Sequence, residues 1–363
     1  MDRVLITGGA GFIGSHLADE LLAAGYSVRA LDVLVDQVHE GDRPEYLSDD
    51  VELIPGDVRG EEVVRGALEG VEAVVHLAAR VGVGQSMYEQ AEYAAANTLG
   101  TAVLLDALAE RPVRKLVVAS SMSVYGEGAY KPVRAVERTR EQLERRDWEP
   151  RGAGGEELTP VPTPETKQPA LSSVYALTKF DQERLCLLFG SAYGVPTVAL
   201  RLFNVYGPRQ ALSNPYTGVL AIFASRLLND NAPVVYEDGA QTRDFVHVSD
   251  VTRAFRLALE HGGADGHVVN AGAGRATSVL EIAHALAGLL GKEIDPELPG
   301  TFRAGDIRHC IADVSLAREL LGFEAQVALE DGLAELAEWL QTQPATDRFD
   351  RAAAELAERG LTG

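Results

Sequence analysis

Residues 4–14 read Val4-Leu5-Ile6-Thr7-Gly8-Gly9-Ala10-Gly11-Phe12-Ile13-Gly14. An aliphatic run ends in three glycines spaced three apart. It then passes directly into apolar positions at helical spacing, from Phe12 to Ala24. A strand, a tight turn and a helix in that order aim backbone N–H groups and a helix N-terminus at one point, where a pyrophosphate can sit. Gly8 allows the turn, Gly11 lets a phosphate approach the backbone, and Gly14 permits close helix–strand packing. Phe12 and Ile13 begin the helix. Asp32 closes the next expected strand, 27–32, 18 residues beyond Gly14. A carboxylate there accepts from both ribose hydroxyls and repels a 2′-phosphate, so the expected cofactor is NAD rather than NADP.

Outward from this stretch the rhythm continues. Strands are expected over 3–7, 27–32, 51–55, 72–76 and 114–120, and helices over 12–24, 61–69 and 93–110. Alternation of this kind predicts an α/β fold with a doubly wound parallel (Rossmann) sheet. Gly56-Asp57-Val58 follows the third strand, at the edge where an adenine lies. His76-Leu77-Ala78-Ala79 ends the fourth strand with small residues that leave room beside a cofactor, and His76 itself reads as structural. Residues 127–172 break the pattern with a Pro-, Gly- and charge-rich excursion that holds one short helix near 139–145. Its arginines (Arg134, Arg138, Arg140, Arg145, Arg146, Arg151) are interleaved with Glu137, Glu141, Glu144, Asp147 and Glu149, which predicts a solvated, self-paired surface. Periodicity resumes with a helix at 174–193, a strand at 196–203, and helices near 220–228, 248–260 and 279–290. The expected organisation is an NAD-binding domain over 1–200 and a smaller mixed α/β substrate-binding lobe over 201–340. Segments near 236–265 are candidates for return to the first domain, and a helical tail at 341–363 packs on the surface.

The chain has 363 residues, with 54 acids against 33 bases, a formal charge of −21. Such a surface repels nucleic acid and anionic lipid, and an anionic small substrate would need its own local arginines. Cys186 and Cys310 form neither a disulfide framework nor a metal-ligand spacing, so two core thiols and no metal are expected. No apolar run approaches the roughly 18 residues of a membrane span, and the start lacks a signal-peptide stretch. A cytoplasmic protein is expected.

Tyr175-Ala176-Leu177-Thr178-Lys179 puts a phenol and an ammonium at i and i+4, on one helix face. The ammonium, with a nearby nicotinamide cation, is expected to lower the phenol pKa so that Tyr175 acts as a base. Ser120-Ser121-Met122-Ser123 ends the fifth strand. A serine hydroxyl there can bond the oxygen of the carbon being oxidised, while Ser120 and Ser123 also read as strand-end caps.

Taken as an ordered set, these motifs resemble the extended short-chain dehydrogenase/reductase family, in its branch of nucleotide-sugar epimerases and dehydratases. The set comprises residues 7–14, Asp32, Asp57-Val58, His76 to Ala79, Asn97, Ser121 before Val124-Tyr125-Gly126, and Tyr175 with Lys179. It continues through Arg201-Leu202-Phe203-Asn204-Val205-Tyr206-Gly207-Pro208-Arg209, Arg243-Asp244-Phe245-Val246-His247-Val248, and Arg303-Ala304-Gly305-Asp306 ahead of Ala312-Asp313, covering about residues 3–340. The resemblance implies a homodimer through helices near 93–110 and 174–190. It implies that Asp57, Val58, Leu77, Ala78, Ala79 and Asn97 contact NAD. Asn204, Arg243, Arg303 and Asp306 would hold a nucleoside diphosphate-sugar, with Val83, Ser121 and Ser123 near the sugar.

In this branch Tyr175 would take the sugar 4-OH proton as the C4 hydride leaves for NAD, giving a 4-keto sugar. Dehydratases carry Asp-Glu where this chain has Met122-Ser123, and sugar-acid decarboxylases place Glu at the Ser123 position. Uronate-handling relatives often carry arginine where Val83-Gly84-Gln85 stands. What remains is 4-epimerisation, with hydride returned to the opposite face. The long excursion and Gln210-Ala211-Leu212-Ser213-Asn214-Pro215-Tyr216-Thr217-Gly218 look most like dTDP-L-rhamnose 4-epimerase-type enzymes. Two departures stand against that match. The excursion lacks the cysteine pair those enzymes often carry, and Ile222 lies near where relatives elsewhere in the branch place asparagine. Competing readings are a UDP-glucose/UDP-galactose or UDP-glucuronate 4-epimerase, a 4,6-dehydratase or 4-keto reductase, and a non-catalytic NAD or nucleotide-sugar sensor. Intact Ser121, Tyr175 and Lys179 weigh against the sensor.

Overall fold

Seven parallel strands form the central sheet of the computed structural model, which describes residues 2–39, 42–212, 214, 218–303, 305–343 and 346–363. Their order across the sheet is Val268–Ala271, Thr197–Leu202, Lys115–Ser121, Ala73–His76, Arg3–Thr7, Ser27–Asp32 and Glu52–Pro55. Val4, Leu5, Ile6, Val74, Val75, Val117 and Val198 are all fully buried, as expected of strands covered on both faces. One face packs on Leu17 and Leu21 of the helix Phe12–Ala23 and on Phe255 of the helix Val248–Glu260. The other packs on Leu104 and Leu108 of Gly100–Glu110 and on Cys186 and Phe189 of Val174–Tyr193. Strand order reverses between Arg3–Thr7 and Ala73–His76, which opens a crevice at their carboxyl ends where such sheets bind ligands.

The expected strands and helices of the first half lie within two residues of their observed bounds, with one exception. The helix expected over 93–110 is broken into Gln90–Tyr93, a π-helical stretch Ala94–Leu99, and Gly100–Glu110. Widening the turn at this point turns the Asn97 side chain inward, fully buried. Residues beyond 200 complete the first sheet. The helix Val248–Glu260 lies on Phe12–Ala23, and Val268–Ala271 is the edge strand beside Thr197–Leu202.

The excursion contains a hairpin of Ala129–Lys131 with Thr159–Val161 and a short helix Arg140–Glu144, N-capped by Thr139. Its charge reading needs correction. Arg140–Glu144 and Arg151–Asp147 are self-paired at the surface as expected. Arg138, however, is buried and reaches Glu237 Oε1 at 2.7 Å and Glu127 Oε1 at 3.4 Å. Glu149 bonds the buried Arg308. These ions rivet the excursion to the second lobe, a partnership invisible to neighbour spacing.

That lobe is cored by Phe223, Leu227, Ile282, Leu286, Leu336 and Leu340, from helices Val219–Leu228, Val279–Leu289 and Leu329–Leu340. The tail helix, Phe349–Glu358, packs on the surface with its polar face exposed and its apolar face turned inward. Ala352 and Leu356 are buried against the cleft between the lobes. Both cysteines are free thiols in the interior, pushed up to about 12 by burial. Among the described residues no helix is long and apolar enough to cross a membrane.

Candidate active site

The glycine turn is built as its spacing requires. Gly8 has φ +72°, and a Cβ on it would meet Ala78 N at 2.9 Å, so the fourth strand's end closes directly on the turn. A Cβ at Gly14 would lie 2.3 Å from Gly8 O, within a distance no side chain tolerates. At Gly11 a Cβ would meet only Gly8 O, at 3.4 Å, leaving open space before the backbone and the start of the helix Phe12–Ala23. Phe12 and Ile13 are half-buried behind it. Asp32 is buried at the second strand's end, with Oδ2 accepting from Ala10 N at 3.0 Å and Oδ1 from Leu34 N at 3.0 Å. Two of its roughly four acceptor sites stay available for ribose hydroxyls. The open face at Gly11 beside this carboxylate fits NAD.

Other expected cofactor contacts sit around the same crevice. Leu77 N donates to Thr7 O at 3.0 Å and Ala78 N to Thr7 Oγ1 at 3.2 Å, and Ala79 continues half-buried. Asp57 holds Arg59 through N at 2.8 Å and Nε at 2.9 Å, and Val58 is in the core. Asn97 accepts from Arg80 N at 2.7 Å and donates to Arg80 O at 3.1 Å and Thr178 Oγ1 at 2.9 Å. Its polar atoms are thus spent pinning the 80s loop to the Tyr175 helix. His76 is structural as expected. Burial, with Lys179 nearby, holds it neutral and pushes it down to about 3, between Thr7 Oγ1 at 2.7 Å and Thr101 Oγ1 at 2.8 Å.

Ser173 caps the helix Val174–Tyr193 by accepting from Ala176 N at 3.0 Å, and Tyr175 N donates to Ser86 Oγ at 3.0 Å. Ser123 Oγ donates to Ser121 Oγ at 2.9 Å, and the Ser121 hydroxyl neighbours the Tyr175 phenol. Burial raises the Tyr175 pKa, and the Ser121 hydroxyl opposes that rise. The expected action of Lys179 on this phenol needs correction. Lys179 Nζ donates to Gln182 Oε1 at 2.7 Å, because the buried amide three residues on offers a full acceptor. Burial brings Lys179 down to about 8. Ser120 is a structural group, donating to the buried Glu183 Oε2 at 2.7 Å.

A cavity of about 240 Å³ runs from this point into the second lobe. Val83, Gly84, Met122 and Ser123 line one end, and Asn204, Arg243, Arg303 and Asp306 line the other. Asp306 accepts from Arg303 Nη2 at 2.9 Å and Arg243 Nη2 at 3.3 Å. Although burial opposes it, these guanidiniums bring the carboxyl down to about 2. Ala304, between them, and Ser213 and Pro215 to Thr217 of the stretch quoted above lie outside the described residues. The buried Oδ1 of Asn204 has no partner within the protein.

Residues 4–272 match the sequence model of the NAD dependent epimerase/dehydratase family. The chain belongs to that family. It is 37% identical to a dTDP-L-rhamnose 4-epimerase of Burkholderia thailandensis, over 93% of this chain and 94% of that one. Its fold is similar to that of a UDP-glucose 4-epimerase from Thermotoga maritima solved with UDP-glucose. The TM-score there is 0.78 at 33% identity, covering 93% and 98% of the two chains. It is also similar to a Thermus thermophilus UDP-glucose 4-epimerase in complex with NAD, with TM-score 0.75 at 31% identity, covering 94% and 100%.

Sequence reasoning missed several groups in this NAD-dependent epimerase/dehydratase. His39 Nε2 lies 4.0 Å from Asp32 Oδ1, and its buried Nδ1 has no partner within the protein. Tyr46 OH donates to Ala10 O at 3.0 Å, bracing the glycine turn from outside. In the second lobe Gln241 lines the cavity with a buried, unpartnered Oε1, and the Arg303 guanidinium lies 4.8 Å from the Tyr236 ring centre. The tail residues Phe349, Ala352, Ala353 and Leu356 line it too. No spacing rule marks any of these, since each acquires its meaning from a distant segment.

Proposed function

We propose that this family member is a nucleotide-sugar 4-epimerase acting on a 6-deoxy sugar such as dTDP-L-rhamnose. One observation carries the reading: among the described residues lining the cavity, Asp306 is the only carboxylate, and two arginines hold it ionised. Elimination across C5 and C6, or decarboxylation, needs an acid or base beside the sugar, and Met122 and Ser123 provide no such carboxyl. Epimerisation needs neither. Bound NAD supplies the acceptor and returning donor of the C4 hydride. Tyr175 takes the 4-OH proton and later restores it, with Ser121 bonding the same oxygen and Ser123 feeding Ser121. Lys179, released from Gln182, holds the nicotinamide ribose. The turn at Gly8, Gly11 and Gly14 with Phe12 and Ile13, together with Asp32, Asp57, Val58 and Leu77 to Ala79, forms the cofactor bed, and Asn97 braces it from behind through Arg80. Arg243, Arg303 and Asn204 hold the diphosphate-sugar, and Asp306 orients both arginines. The 37% identity to a dTDP-L-rhamnose 4-epimerase supports the deoxy sugar, and the UDP-glucose 4-epimerase neighbours keep UDP-glucose as the second substrate to test.

Incubation with dTDP-L-rhamnose should yield its C4 epimer with no net change in NAD. A 4-keto-6-deoxy product would identify a dehydratase instead, and stoichiometric NADH consumption a reductase.

The Lys179 ammonium sets a pH limit. Its pKa falls from 10.5 to about 8, so it is charged below pH 8 in the folded protein. Above pH 8 the folded protein loses that proton while the unfolded chain still holds it. NAD affinity should therefore weaken as pH rises through 8, while the stability of the NAD-free protein gains over the same window. Titration of NAD between pH 7 and 10 checks this, and a flat affinity would detach Lys179 from the cofactor.

We also infer a homodimer through the helices near 93–110 and 174–190. Leu177 and Leu188 are 45% and 58% exposed on one helix, with Leu99 53% exposed beside them. Leu188→Asp should convert the dimer to a monomer in sedimentation velocity. A wild-type monomer would remove the inference.

A further inference from the structure

We propose that the C-terminal helix Phe349–Glu358 is part of the substrate site. On it, Leu356 is a specificity-determining residue that selects a sugar carrying an apolar group beside the reacting carbon. The inference rests on the 4-epimerase reading above and extends it to a segment outside the matched family region.

Phe349, Ala352, Ala353 and Leu356 fall at i, i+3, i+4 and i+7, so one face of this helix is apolar, and that face lines the cavity. The helix is anchored on both sides of the cleft. Arg226 Nη1 donates to Asp350 Oδ1 at 2.8 Å and to Asp347 Oδ2 at 3.3 Å, and its guanidinium lies 4.8 Å from the Phe349 ring centre. On the opposite side Arg359 lies 4.3 Å from the Tyr88 ring centre. The chain end is stitched down where Phe302 and Gly363 exchange two backbone bonds of 2.8 and 3.1 Å. Leu356 is 6% exposed, and a Cβ on Gly84 would come within 3.3 Å of its Cδ2. Val83 and Gly84 open a short helix that ends at Ser86, whose hydroxyl accepts from Tyr175 N, and Met122 follows Ser121. Leu356, Val83 and Met122 therefore line one cavity as apolar groups, and the latter two belong to segments that adjoin Tyr175 and Ser121.

Ser123, the hydroxyl lining this end of the cavity, donates its proton to Ser121, so this apolar wall offers no free side-chain donor to a neighbouring oxygen. The exocyclic group on C5 is the nearest substituent that differs between sugars. A methyl there gains contact, whereas a hydroxymethyl or carboxylate would be desolvated without a partner. An apolar pocket discriminates against one added hydroxyl by about 10- to 100-fold.

The test uses the full-length protein and two substrates that differ by one oxygen, dTDP-L-rhamnose and dTDP-L-mannose. Wild type should show a kcat/KM ratio of about tenfold or more in favour of the deoxy sugar. Leu356→Asn, which offers an amide to that oxygen with the same branching at Cγ, should lower the ratio at least about fivefold and leave affinity for dTDP alone unchanged. Leu356→Met should keep the ratio, and it serves as the folded comparison if the asparagine variant does not fold. Equal use of both sugars by wild type, or an unchanged ratio in a folded Leu356→Asn protein, would overturn the proposal while leaving the 4-epimerase reading intact. Absence of turnover on both sugars and on UDP-glucose would sink that reading instead. Calorimetric affinities of the two dTDP-sugars, judged by the same ratio, would then decide the role of the wall.

Discussion

Tyr175→Phe is expected to lower turnover by roughly 10²- to 10⁴-fold while NAD remains bound. In the proposed mechanism the phenol hydroxyl exchanges a proton with the sugar oxygen. It neighbours Ser121, itself bonded by Ser123, and it sits on a helix capped by Ser173 and tied to Ser86. Its ring packs edge-on to Tyr93 at 6.5 Å, and phenylalanine keeps that packing. The melting temperature should therefore barely move, which separates a chemical loss from a structural one. Burial holds the Tyr175 pKa high, and Lys179 is engaged with Gln182, so the phenol is a poor base until the cofactor's positive charge arrives. A phenylalanine variant with near-normal turnover would remove Tyr175 from the mechanism.

The second large effect is on stability. Glu183 lies two turns beyond Tyr175 on the same helix and is 1% exposed. Its carboxylate receives Arg201 Nη2 at 2.7 Å, Arg201 Nε at 2.9 Å and Ser120 Oγ at 2.7 Å. Arg201 is also buried, with its guanidinium 4.6 Å from the Tyr125 ring centre. Glu183→Ala strands this cation in the interior and should cost about 3–5 kcal/mol in a denaturant titration. Because the pair fastens the Tyr175 helix to the strands Lys115–Ser121 and Thr197–Leu202, turnover should fall as well. A loss under about 1 kcal/mol would mean that water or another carboxylate reaches Arg201.

What was legible beforehand follows from locality. The glycine turn, the carboxylate of Asp32, the Tyr175/Lys179 spacing and the strand–helix alternation are relations between residues close in the chain, and backbone geometry converts them directly into structure. The break at Ala94–Leu99 was hidden because a π-helical turn leaves the same apolar residues at nearly the same spacing. The excursion's arginines misled for a related reason. Arg138 has acidic neighbours, yet its partner Glu237 is 99 residues away, and only desolvation in the folded core makes that pair worth forming.

The amino-acid sequence on its own therefore determined the parallel sheet, the glycine turn with its crevice and the placing of Tyr175 and Lys179 one turn apart on one helix, since each is encoded within a few turns of chain. The tertiary structure alone decided that Lys179 bonds Gln182, that Asn97 is consumed in holding Arg80, and that the last helix walls the cleft. Those outcomes depend on which distant groups compete for the same hydrogen bond or the same apolar contact, and that competition is resolved only once the lobes have packed.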